Sequence, residues 1–94
     1  MSHLNSQETR REPDKGIGSA YHLTLEPFKM TKLWIGPFDS KESPEFKVSE
    51  KGVNPPGSFI CQQDRLEQDN GSLILFLMQN YGIREVEVTI KRTA

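Results

Sequence analysis

The sequence predicts an all-β domain, a small sandwich or partly open barrel of about six or seven short strands behind a disordered N-terminal tail. Three observations carry that expectation. Tyr21, Leu23 and Leu25 alternate with His22, Thr24 and Glu26, and Val86, Val88 and Ile90 alternate with Glu85, Glu87, Thr89 and Lys91, the period of a strand with one dry face. Asp69-Asn70-Gly71 separates two strand-like runs, and Asn-Gly readily takes the positive φ values of a tight hairpin. Residues 1–18 hold only Met1, Leu4 and Ile17 as large apolar groups, too few to offset the entropy of ordering.

Taken in order, residues 1–18 are expected to be a tail dispensable for folding, and 19–94 a single β-rich domain. The tail's acids, Glu8, Glu12 and Asp14, are balanced by Arg10, Arg11 and Lys15, so it is no basic arm. The first strand ends at Pro27, which cannot donate to a ladder. Phe28 to Ile35 follows with apolar groups on both sides: Leu33 and Ile35 on one, Phe28, Met30 and Trp34 on the other. Gly36, Pro37 and the polar run from Asp39 to Ser43 predict a loop, and Phe46 and Val48 a short strand. Pro55-Pro56 places a turn or extended connection between Gly52 and Gly57.

Ser58 to Gln68 and Ser72 to Gln79 are expected to pair about the Asn-Gly turn. A second turn at Asn80-Tyr81-Gly82 then leads to the last strand, giving a three-stranded meander. One competing reading makes the fold α+β: Ser72 could cap a helix over 72–81 that ends at Gly82. In either reading Gly82 is expected to hold a positive φ. The Asn-Gly turn and the β-branched and aromatic neighbours favour strand. The stretch NGSLILFL and the alternating strand after it resemble the end of a small heat-shock or CS-type sandwich domain, over too short a span to assign a family or carry over a functional residue.

Charge and cysteine content narrow the function classes. Twelve Lys plus Arg against thirteen Asp plus Glu leave a formal net charge of −1, so no global field draws the protein onto nucleic acid or anionic lipid. A lone Cys61 cannot close an intramolecular disulfide, and the first residues lack a signal-peptide apolar run. An intracellular, cytoplasmic location is expected, with no membrane partner.

No catalytic or cofactor motif is legible. His3, His22 and Cys61 are too few and too scattered for a metal site, no nucleophile elbow occurs, and Gly16-Ile17-Gly18 is too short for a dinucleotide fingerprint. No cofactor is expected. Glu85 and Glu87 sit on the wet face of an alternating strand, where solvation explains them.

Two apolar surpluses remain. Phe28, Lys29, Met30, Lys32 and Trp34 interleave large side chains with ammonium groups, and Leu73 to Met78 is apolar at every position although a two-layer domain dries one face of each strand. Either Leu73, Leu75 and Leu77 or Ile74, Phe76 and Met78 look outward, unless loops such as Gly36 to Ser43 or Gly52 to Gly57 cover them or the run is a helix buried all round; the second set is the one expected at the surface. The expected interaction surface is therefore Phe28, Lys29, Met30, Lys32, Trp34, Ile74, Phe76 and Met78. The expected function is a non-enzymatic protein-binding or self-assembling β module whose partner is another protein or a second copy. Binding of single-stranded nucleic acid by an OB-like domain competes with it and requires Lys29, Lys32, Lys91 and Arg92 to converge around exposed rings. An enzyme whose site only the fold assembles is the third class.

Overall fold

The computed structural model describes residues 5–11, as backbone, and 18–94. The elements are β1 (Asn5–Arg11), β2 (Ala20–Leu25), β3 (Lys29–Phe38), β4 (Phe46–Lys51), β5 (Phe59–Gln68), β6 (Gly71–Asn80) and β7 (Val86–Arg92), with no helix among the described residues. The chain is all-β, a sandwich. One sheet runs β1-β3-β6-β5 and the other β2-β7-β4. Every pairing is antiparallel except β1 on β3, which is parallel from Asn5↔Lys29 to Arg11↔Ile35. The tail expected over residues 1–18 lies outside the described residues at 1–4 and 12–17. Asn5–Arg11 forms an edge strand that its polar composition does not announce.

The alternation read in β2 and β7 is used as expected: Tyr21↔Ile90, Leu23↔Val88 and Leu25↔Val86 face the core together. The last strand does not complete a meander. It crosses to the second sheet between β2 and β4, because its single dry face needs the opposing layer, and β6 already has β3 and β5 as neighbours. The β5–β6 hairpin is present, with Gln68↔Gly71 closing it and an unbroken register to Phe59↔Asn80. Its positive φ belongs to Gly71, at 128°, where a Cβ would run into the Phe38 carbonyl oxygen, so this turn tolerates only glycine.

Gly82 corrects the expectation for the second turn. It is not among the residues with positive φ; its lack of a side chain instead admits the Asn54 side chain, which a Cβ would strike. The positive φ at this end falls on Phe28, at 58°, a conformation that costs a bulky residue of order 1–3 kcal/mol and must be held by its surroundings.

The core is one cluster. Leu33, Ile35, Ile74, Phe76 and Met78 of the larger sheet meet Tyr21, Leu25, Val86, Val88 and Ile90 of the smaller one. Phe46 of β4 packs edge-on to Phe76 at 5.3 Å and to Phe38 at 6.1 Å, joining the layers at one end. At the other end Asn80, fully buried, ties three segments: its Nδ2 donates to the Leu25, Glu26 and Arg84 carbonyls, and its Oδ1 accepts from the Gly82 amide at 2.9 Å. Asn54 extends this knot by donating to the Arg84 carbonyl at 2.7 Å and accepting from the Arg84 amide at 3.0 Å. The Asn80 bonds satisfy the Leu25 carbonyl and the Gly82 amide, which would otherwise be left unpaired in a dry place.

Candidate interaction surface

The registers decide which rows face outward. In β3, Thr31, Leu33 and Ile35 are buried, so Met30, Lys32 and Trp34 form the outer row. Antiparallel partners share a face, and Leu33 pairs with Phe76 while Ile35 pairs with Ile74. The even positions of β6 are therefore core. Ile74, Phe76 and Met78 have 2%, 0% and 0% of their surface exposed, which removes them from the interaction surface expected from sequence. The odd-numbered row is Leu73, Leu75 and Leu77; Leu73 is itself buried, at 5% exposed, so Leu75 and Leu77 are the members that reach the surface.

These rows adjoin. Trp34 lies opposite Leu75 and Lys32 opposite Leu77, and on the other flank Leu66 lies opposite Leu73, Asp64 opposite Leu75, Gln62 opposite Leu77 and Ile60 opposite Gln79. The outer face of the larger sheet is thus a leucine row along β6, flanked by Met30 and Trp34 on β3 and by Ile60 and Leu66 on β5. Leu75, Leu77, Met30 and Trp34 are half-buried, whereas Ile60 and Leu66 are 40% and 47% exposed. Sequence reasoning located the β3 half, held Leu73, Leu75 and Leu77 only as the unchosen alternative on β6, and missed Ile60 and Leu66. The hairpin register carried a usable signal: pairing across Asp69-Asn70 sets Phe59 and Cys61 in phase with Asn80 and Met78, so an inward Phe59 implies an inward Met78.

The other expected residues lie elsewhere. Phe28 projects from the β2–β3 turn, half exposed, and Lys29 pairs with Glu26 at 3.1 Å, so neither belongs to the outer face. Exposed Val53, Tyr81 and Ile83 occupy the loops that the Asn80 and Asn54 knot ties together near that turn.

The basic residues do not converge as nucleic-acid binding requires. Lys32 is on the outer face of the larger sheet, Lys91 on that of the smaller one, and Arg92 stacks over the Phe38 ring at 5.2 Å with its guanidinium 3.4 Å from Glu42.

Groups suited to chemistry are sparse among the described residues, which hold no cluster of three metal-ligating side chains. Thr89 Oγ1 lies 3.3 Å from His22 Nδ1 on the open outer face of the smaller sheet, in a shallow depression also bordered by Glu87. A second depression, of about 220 Å³, is lined by Glu50, Asn54, Pro55, Pro56, Ser58 and Phe59, and the Ser58 hydroxyl donates to the Pro55 carbonyl at 2.7 Å. Burial pushes the Cys61 thiol pKa up, away from the thiolate that reactive cysteines need. Glu67 is held below the usual carboxylate range by the Ser72 hydroxyl at 2.7 Å and by Arg65 Nε at 2.7 Å. Arg65 also donates to Ser72 Oγ and to the Ser40 carbonyl, so the cluster fastens the 39–43 loop to the hairpin end. No protein-family model, curated protein or solved structure matches the chain. No helix of the described residues is long and apolar enough to cross a membrane.

Proposed function

We propose that the chain is a non-enzymatic protein-binding module whose docking surface is the outer face of the larger sheet. The observation that carries this reading is the half-buried pair Leu75 and Leu77, set between Trp34 of β3 and the exposed Ile60 and Leu66 of β5. Full burial of an exposed side chain of this kind is worth roughly 1.5–3 kcal/mol, and a partner that dries these residues gains the part still in water. Leucine and tryptophan surrounded by Lys32, Gln62, Asp64 and Gln79 reproduce the apolar centre and polar rim of protein interfaces. The half-buried, unpaired thiol of Cys61 suits a reducing, intracellular compartment.

A photo-activated crosslinking residue at position 75, compared with the same residue at position 89 on the opposite outer face, tests the reading in cells. The expected result is a discrete protein adduct from position 75 that disappears in a Leu77→Glu background and does not form from position 89. Equal, diffuse labelling from both positions would sink it.

A further inference from the structure

We infer that the partner on this face is a second copy of the same chain, packed face to face about a two-fold axis parallel to β6. The inference rests on the docking surface proposed above and adds the occupant and its orientation.

Shape is the first ground. Ten-residue strands at about 3.3 Å per residue and about 4.8 Å apart give β3, β6 and β5 a footprint of roughly 500 Å² per copy. Two copies together therefore reach about the ~1,000 Å² that separates specific interfaces from incidental contacts. A sheet face this long is covered by another sheet in aligned packing, and a two-fold axis lets the same patch serve both partners.

Charge selects the axis. The outer rows hold Lys32 on the β3 flank and Asp64 on the β5 flank, separated by the leucine row. The β3 flank therefore carries the positive charge of Lys32 and the β5 flank the negative charge of Asp64. An axis parallel to β6 lays the β3 flank of each copy over the β5 flank of its mate and brings each Lys32 toward Asp64 of the other chain. Lys32 is registered with Leu77 and Asp64 with Leu75, two positions or about 7 Å apart along β6, within the reach of a lysine side chain. An axis across the strands would instead stack like flank on like flank, positive over positive and negative over negative. The apolar centre supplies association and the paired flanks fix its orientation.

Sedimentation of the full chain across a dilution series, read with the emission of its single tryptophan, Trp34, tests this. The expected result is a dimer at tens of micromolar, with Trp34 emission shifting to the red as it dissociates. Lys32→Glu and Asp64→Lys should each weaken the dimer about tenfold by facing like charges across the two-fold. Mixing the two variants should restore wild-type affinity, because the mixed dimer has two opposite-charge pairs. Both substitutions are on the wet side of the sheet and leave the core intact, and circular dichroism verifies the fold. A monomer at about 100 µM, or a mixture no tighter than either variant alone, overturns the inference. In the first case a position-75 adduct with a different protein leaves the docking surface standing, whereas the absence of any adduct removes both readings.

Discussion

The two sheets present opposite outer faces although their central strands pack on one shared core. On the smaller sheet the outward rows are His22 and Thr24 on β2, Lys47, Ser49 and Lys51 on β4, and Glu87, Thr89 and Lys91 on β7, with Ala20 as the sole apolar member. On the larger sheet the corresponding rows hold Met30, Trp34, Ile60, Leu66, Leu73, Leu75 and Leu77. A sandwich requires only that inner rows be apolar. The central strands of both sheets meet that requirement, with Glu50 on β4 and Gln63, Arg65 and Glu67 on β5 falling at inner-row positions of the flanking strands; only the larger sheet adds large apolar side chains outside, six of them besides the buried Leu73. Because both faces belong to one molecule at one net charge, the surplus is a property of the face and not of the composition, and it points to a surface shaped for covering.

The comparison breaks most sharply along β6, where adjacent residues are assigned opposite fates. Phe76→Ala is expected to cost about 3–5 kcal/mol by opening a cavity where Phe46 and the two inner faces meet. Leu75→Ala, one position away, should cost the folded protein no more than about 1 kcal/mol at concentrations where it is monomeric. Urea unfolding of both variants at low protein concentration reads the difference. Equal losses would mean that the outer row is internal core and that the two faces of the larger sheet are alike.

Which of these faces were legible in the sequence followed from how each strand is used. β2 and β7 contact one dry layer, so period-two alternation gave their inner rows directly. β6 is dry on its inner face and half-dry on its outer one, and a run apolar at every position contains no phase. Phase came from pairing, through Leu33↔Phe76 and Cys61↔Met78, and pairing is a long-range fact. The same limitation concealed the crossing of β7, since nothing local distinguishes a hairpin partner from a strand of the opposite sheet. Asn80 read as a turn residue and is instead a buried fastener, because its partners, the Leu25 and Glu26 carbonyls, are remote in the chain.

A smaller effect sharpens the contrast at the hairpin end. Glu67 accepts more strongly from Ser72 and Arg65 when ionised, and its pKa is lowered accordingly. A carboxyl with a lower pKa folded than unfolded binds more protons in the unfolded chain. Its contribution is thus present above about pH 4.3 and is lost as pH falls through the folded value. Glu67→Gln should therefore be less stable than wild type near neutral pH and match it in acid. Thermal midpoints across that range measure this. A stability gap that persists unchanged in acid would assign the effect to packing and not to the charge.

The smallest expected effect lies on the polar face, where electrostatics should govern what apolar contact governs on the other. Lys47 and Lys91 are directly opposite across β4 and β7, both exposed, while the neighbouring pair Lys51 and Glu87 is of opposite sign. Like charges facing each other across an antiparallel pair are destabilising, and reversing one converts the repulsion into a favourable pair worth roughly 0.2–1 kcal/mol. Lys47→Glu should accordingly raise stability by that small amount at low ionic strength. The gain should shrink as salt is added, because both groups are in water and the Debye length falls to about 3 Å at 1 M. Denaturation of wild type and variant at low and high salt measures it. A gain independent of salt would mean that the substitution acts through strand packing, and the smaller sheet's outer face would then resemble the larger one's more closely than its residues suggest.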